Sequence, residues 1–182
     1  MLRYYVIFFF TIFITDVLAD NKIEIIENLK KTNNLNFRFE QNINGKIQNG
    51  NCTIEYPKKI FCEYARSNNK ILVSNGKSLV IKTRVSYYRY PLERTPLSLI
   101  LDKNFLINKI NTLEERIIDK SFINYTIKTN SHEINIFFDQ NSFNLIGWQS
   151  KDMYQNLSMT YLSSIRFNQK LKKNLFKIPL QN

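Results

Sequence analysis

The spacing of apolar side chains changes period along the chain, and the change predicts the order of the elements. Ile23, Ile26 and Leu29 fall on one side of a helix, with Ile25 beside them. The period then drops to two. Leu35, Phe37 and Phe39 alternate with Asn36, Arg38 and Glu40, as in a strand with one buried face. Asn44-Gly45, between Ile43 and Lys46, is a two-residue hairpin signal, because both residues tolerate the positive φ of a tight turn. Asn75-Gly76 stands likewise between the apolar runs Ile71-Leu72-Val73 and Leu79-Val80-Ile81. Further strands are predicted over residues 87–90, 122–127, 133–138, 143–148 and 157–165, with turn chemistry around Asn141. One helix interrupts them. Thr95-Pro96-Leu97 sets a capping residue ahead of a first-turn proline. Leu97, Ile100 and Leu101 then share a side, and Phe105 and Leu106 extend it. The whole predicts an α+β chain: a large antiparallel sheet with two or three helices, without linker or repeat.

The first nineteen residues stand apart from this pattern. Arg3 supplies a positive charge, residues 4–14 are apolar, and Val17-Leu18-Ala19 ends on a small residue before Asp20. This reads as a cleaved signal peptide at 1–19. A spanning helix needs about 20 apolar residues, more than this stretch has, and no cysteine follows it to take a lipid anchor. The expectation is an exported protein of one domain, 20–182.

Export alters the meaning of the charge. The chain has 26 Lys+Arg against 15 Asp+Glu, a net +11. In the cytosol such a surplus points to nucleic acid. Outside it, anionic lipid headgroups and acidic proteins are the counterparts, so no nucleic-acid partner is expected. A second source of the surplus is coding bias, since Lys, Asn, Ile, Phe and Tyr are the residues of AT-rich codons.

Export also decides the two cysteines. Residues 52–62 read as a tight hairpin centred on Pro57, which sets Cys52 opposite Cys62, Ile54 opposite Ile60 and Glu55 opposite Lys59. The first two pairs share an apolar face and the third is an opposite-charge pair on the other. Directly opposed residues lie within disulfide range, and an exported chain meets an oxidising compartment. A structural Cys52–Cys62 bond is therefore expected. A redox-active pair would need a pKa-lowering setting such as a helix N-terminus, which a hairpin lacks.

Little else offers covalent chemistry. His132 is the single histidine, so any Ser-His-Asp or Cys-His arrangement must use it. It falls in Ser131-His132-Glu133, where a solvated turn is expected. There is no glycine-rich phosphate loop, metalloprotease helix or acidic calcium loop. No catalytic residue, metal site or cofactor is assigned. Large apolar side chains are abundant instead: Phe37, Phe39, Phe105, Phe122, Phe137, Phe138, Phe143, Trp148 and Phe167 are spread over nearly every element. They fill an ordinary core, or they line a sheet curled around a cavity for a hydrophobic ligand.

Several segments, in order, resemble the LolA-like family of outer-membrane lipoprotein carriers. They are Phe37-x-Phe39-x-Gln41, Gly50-x-Cys52-x-Ile54-x-Tyr56-Pro57-x-x-Ile60, Ile71-Leu72-Val73-Ser74-Asn75-Gly76, Tyr90-Pro91-Leu92-x-x-Thr95-Pro96-Leu97 and Leu175-Phe176-x-Ile178-Pro179. The resemblance implies an incomplete antiparallel β-barrel with a helical lid over a hydrophobic cavity. It implies a periplasmic carrier; since nothing in the chain suggests an obligate oligomer or singles out a catalytic pair, a monomer that is not an enzyme is expected. Its partners would be acylated lipoproteins, an inner-membrane ABC exporter, and an outer-membrane acceptor or the outer membrane itself. Phe37, Phe39, Ile54, Ile60 and Leu72 are the expected wall, and Leu97, Ile100 and Leu101 the expected lid. One departure stands out: family members often carry a lid-holding Arg before this proline, and here the residue is Tyr56. The competing expectations are a related lipid-binding or lipid-sensing module, a hydrolase dependent on His132, and a protein-binding sandwich with a filled core.

Overall fold

The computed structural model describes residues 21–152 and 155–181, so the expected leader at 1–19 lies outside the described residues. Helix α1 (Asn21–Lys31) leads into six strands: β1 (Asn34–Ile43), β2 (Lys46–Glu55), β3 (Lys59–Tyr64), β4 (Ile71–Asn75), β5 (Ser78–Lys82) and β6 (Tyr87–Pro91). A 3-10 turn (Leu92–Arg94) and helices α2 (Leu97–Ile100) and α3 (Lys103–Thr112) follow. Strands β7 (Arg116–Ile118), β8 (Phe122–Lys128), β9 (Glu133–Asp139), β10 (Leu145–Lys151) and β11 (Leu157–Phe167) complete the set. They form one antiparallel sheet in the order β6-β5-β4-β3-β2-β1-β11-β10-β9-β8-β7. The first and last strands pair at its centre, and α2 and α3 lie in the connection between the far edges. Those edges, β6 and β7, do not pair with each other, so the sheet is not closed.

Local chemistry sets the registers. Asn44 and Gly45 both take positive φ, 48° and 84°, and Ile43 pairs with Lys46 across a two-residue turn. The hairpin around Pro57 has the expected register: Cys52 faces Cys62, Ile54 faces Ile60, and Glu55 faces Lys59. The turn at Asn75-Gly76 is longer than two residues, because the last pair is Ser74 with Leu79. Asn75 causes the difference: its Oδ1 accepts from the backbone N–H groups of Lys77 (3.1 Å) and Ser78 (3.0 Å), closing an Asx turn in place of a tight hairpin.

The concave face divides into two halves. On the β8–β9 side, Ile123, Tyr125, Ile127, Ile134, Ile136 and Phe138 have no exposed surface and share a core with Ile25 and Leu29 of α1 and Leu106 and Ile110 of α3. Asn28 Nδ2 pins α1 over this half by donating to the Ser142 carbonyl at 2.9 Å. On the β1–β6 side, among the described residues, no long helix covers the sheet, and the segment of Thr95, Pro96 and Leu97 at the start of α2 lies over it. The convex face carries the polar alternates of β1. Farther along, Val73 and Val80 point outward yet are fully buried. Segment 168–181 is held on that side: Lys59 Nζ lies 5.8 Å from the Phe176 ring centroid, Tyr87 Oη donates to the Pro179 carbonyl, and Lys82 Nζ donates to the Leu180 carbonyl.

Candidate functional site

The half of the sheet without a long helix encloses a cavity of about 280 Å³. Ligand cavities run from roughly 300 to 1,000 Å³, so this one sits at the small end. Its wall is formed by Phe39, Ile60, Leu72, Leu79, Ile81 and Trp148, its floor includes the Cys52–Cys62 disulfide, and Thr95, Pro96 and Leu97 close it from above. The strand pleat explains the wall. Phe39, Ile60 and Leu72 occupy successive inward positions on β1, β3 and β4, and the cross-strand disulfide joins β2 to β3 with its Cα atoms 4.1 Å apart. Gly50 stands between Phe39 and Tyr64 in the cross-strand register. Lacking a side chain, it lets those two rings meet edge to face at 4.9 Å.

Of the expected wall, Phe39, Ile60 and Leu72 line this cavity. Phe37 and Ile54 do not. Phe37 backs the wall with its ring 6.4 Å from Trp148, and Ile54 is buried between its register neighbours Leu35 and Ile60. Of the expected lid, Leu97 faces the cavity, while Ile100 and Leu101 are fully buried in the core. The alternation that identifies inward residues does not tell which part of the inner face the helices fill.

One end of the cavity is polar, a feature without a period in the sequence. Gln41, Tyr64, Lys70, Ser150, Ser158 and Thr160 line it. Gln41 Nε2 donates to Ser158 Oγ (3.1 Å) and Thr160 Oγ1 (3.3 Å), and its Oε1 accepts from Tyr64 Oη at 3.4 Å. Burial pushes the Tyr64 phenol up to about 12 and pulls the Lys70 ammonium below its usual value.

The covering segment differs from its expected start. The Thr95 hydroxyl does not cap the helix; it donates back to the Leu92 carbonyl at 2.8 Å. Helix α2 ends at Ile100, and Asp102 starts α3 by accepting from the Phe105 N–H at 3.0 Å. The α2–α3 junction is tied to the hairpin turn by Lys58. The Lys58 N–H donates to the Leu101 carbonyl at 2.8 Å, and its Nζ lies 2.8 Å from Glu93 Oε1 and 3.8 Å from Asp102 Oδ2. The hydrogen bond from Lys58 to Glu93 holds the ammonium above its usual pKa, against a smaller opposing effect of desolvation. On the other side, Lys103 Nζ donates to the Thr32 carbonyl at 2.8 Å, at the end of α1.

Tyr56, at the position of the family's Arg, does not reach α2. It faces a small void with Leu29, Leu35 and Phe143, and its hydroxyl has no hydrogen-bond partner among the described residues. Burial holds that phenol well above its usual range. The tie to the covering segment is made two residues later, by Lys58. His132 sits in the expected turn, where its N–H donates to Thr129 Oγ1 at 3.0 Å. It is half-buried, not solvated, with Nε2 shielded and unpartnered among the described residues, and it lies outside the cavity.

Comparison with known proteins returns a family match over nearly this whole length. The family model described as outer membrane lipoprotein carrier protein LolA matches residues 22–179. No curated protein matches the sequence. Among solved structures, an uncharacterized conserved protein from Thermus thermophilus is similar with a TM-score of 0.50 and 6% identity, over 88% of this chain and 93% of its own. MucB is similar with a TM-score of 0.50 and 7% identity, over 87% of this chain and 62% of its own. A LolA superfamily protein from Nitrosomonas europaea gives 0.45 and 8%, over 88% of this chain and 99% of its own. At these identities the first two likenesses concern the fold alone.

Proposed function

The chain belongs to the family of the outer membrane lipoprotein carrier protein LolA, and from that premise we propose that it is a periplasmic, monomeric carrier of lipoprotein acyl chains. It takes its cargo from an inner-membrane ABC exporter and delivers it to an outer-membrane acceptor or to the outer membrane directly. The segment at 1–19 serves as a cleaved signal peptide, and residues 20–182 act as one carrier domain.

The observation that carries this reading is the apolar cavity between the curled sheet and α2. Each methylene taken out of water is worth ~0.8 kcal/mol, so a sixteen-carbon chain needs roughly 12 kcal/mol of shelter to cross an aqueous space. A concave wall of Phe39, Ile60, Leu72, Leu79 and Trp148 offers part of that shelter, and lifting of the covering segment would have to expose the rest; a flat basic surface offers none. Delivery also requires release. A cavity of modest size, covered by a short segment whose only side-chain charge tie among the described residues is Lys58 to Glu93 and Asp102, beside two hydrogen bonds to backbone carbonyls, gives up its cargo to a stronger acceptor. No covalent step is required, and His132 has no part in it. Leu97 would move with the covering segment, and Ile100 and Leu101 would be uncovered as it lifts.

The test is depletion of the protein followed by fractionation of the two membranes. Acylated proteins retained at the inner membrane are the expected result, and an unchanged distribution contradicts the carrier role. A second reading, a module that binds free lipid without lipoprotein transfer, is favoured by the small size of the cavity. The mass of the co-purified ligand separates the two.

A further inference from the structure

The polar end of the cavity has a property that a neutral acyl ester does not require. Lys70 lines it, with Nζ 2.7 Å from Gln48 Oε1 and 4.0 Å from the centroid of the Tyr64 ring. Among the described residues no carboxylate lies within ion-pair distance of this ammonium. Lys70 is half-buried, and stripping part of a cation's hydration without a counter-charge is a cost. Asp152, the acid that shares the lining, is directed elsewhere: Oδ1 accepts from the Asn156 N–H at 2.9 Å and Oδ2 from Asn156 Nδ2 at 3.1 Å. Beside Lys70, the Gln41 amide donates to the oxygens of Ser158 and Thr160. That leaves both hydroxyl hydrogens to be donated to a further acceptor. Both side chains are buried, so the acceptor is not bulk water.

We propose that this cavity has a second ligand class, free single-chain anionic amphiphiles, with the alkyl chain against Ile60, Leu72 and Leu79 and the acid group between Lys70 and the Gln41–Ser158–Thr160 cluster. The inference rests on the cavity binding acyl chains and goes beyond it by naming the head group. The two hydroxyl donors serve an ester carbonyl and an anion alike. An uncompensated ammonium selects the anion, because only the anion supplies the missing charge. Carboxylate and phosphate heads share this chemistry.

The experiment displaces the neutral dye N-phenyl-1-naphthylamine from the purified, oxidised protein. The competitors are palmitate, hexadecyl phosphate, hexadecanol and hexadecyltrimethylammonium, which share one chain length and differ in charge. The expected result is displacement by palmitate, by hexadecyl phosphate or by both at concentrations about tenfold below hexadecanol, with the cationic amphiphile weakest; the stronger anion identifies the head group. In Lys70→Gln, with its fold checked by near-UV circular dichroism, the preference for anion over alcohol falls to within about twofold. Lys70→Arg keeps the preference. Equal displacement by anion and alcohol in the unmodified protein overturns the inference and leaves the acyl-binding reading intact. A preference that survives in Lys70→Gln overturns it as well. If no competitor displaces the dye saturably, the acyl-binding reading falls and this inference with it.

Discussion

Lys58→Met tests whether the segment over the cavity is held by charge. The substitution keeps an aliphatic stem and deletes the ammonium that faces Glu93 at 2.8 Å and Asp102 at 3.8 Å. The backbone bond from Lys58 to the Leu101 carbonyl and the Lys103 bond to Thr32 remain, so the segment is loosened, not detached. The Glu93 side chain is 66% exposed and that of Lys58 is 30% exposed, which places the pair among surface ion pairs worth about 0.2–1 kcal/mol. That range shifts the closed-to-open equilibrium by roughly 1.4- to 5-fold. Two readouts follow. Amides of residues 97–106 should exchange hydrogen faster by that factor at low salt, and a neutral hydrophobic dye should bind up to about fivefold tighter, because admission no longer works against the pair. Both differences should fade near 0.5 M salt, where screening extends over only a few ångströms. The pH dependence has a definite sign. The folded-state pKa of Lys58 is raised above 10.5, so the contribution of the pair is complete below that value and is lost as pH rises through the raised one. Glu93→Gln should reproduce the larger part of the effect, since Asp102 remains 3.8 Å from Lys58, and the double variant should add nothing beyond Lys58→Met. Asp102 is a poor target, since it also caps α3. Exchange at the unmodified rate at low salt, or weaker dye binding in Lys58→Met, would refute the electrostatic tie.

Two further substitutions probe the wall. The Cys52–Cys62 bond closes a short loop, with a sequence separation of 10. Chain-entropy arguments assign such a loop roughly 2.8 kcal/mol at most. Replacing both cysteines by serine should therefore lower Tm by up to about 6–11 °C at this size; a Tm independent of both the substitution and added reductant would contradict the structural role. Gly50→Val should destabilise by about 1–3 kcal/mol, because a Cβ there meets the Glu63 carbonyl oxygen and comes within 2.8 Å of the Phe39 ring. An unchanged Tm would show that the Phe39–Tyr64 contact does not depend on the bare backbone.

Sequence carries the strands well where one face is buried and the other wet. β1 shows it, as does the 52–62 hairpin, where three pairings demand one register. It carries β7 poorly: Arg116 and Ile117 are exposed, so no alternation marks a three-residue edge strand. The break between α2 and α3 is hidden because Leu97, Ile100, Leu101, Phe105 and Leu106 read as one apolar surface, while Asp102, which restarts the helix, has the look of a polar interruption. Thr95 misleads for a related reason. A threonine before proline has the form of a cap, but its hydroxyl finds the Leu92 carbonyl behind it. The site is half legible. Alternation picks Phe39, Ile60 and Leu72 because inward positions on β1, β3 and β4 of one curled sheet face the same hollow. It does not separate them from Phe37 and Ile54, whose places depend on what packs above them. The polar end depends on Lys70, which lies in the β3–β4 connection and belongs to no periodic run. The hidden signal there is a lysine immediately before an apolar strand, visible as a site only once β3 and β4 are paired.

An acyl chain held inside the curled sheet would lie against Trp148, which reports on it directly. It is the single tryptophan of the chain, it is 6% exposed, and it lines the cavity. Titration with a fatty acid brominated along its chain should quench its fluorescence saturably with one ligand per protein, and an unlabelled acid of the same length should reverse the quenching. Quenching that never saturates, or none while the acid binds elsewhere, would contradict the account.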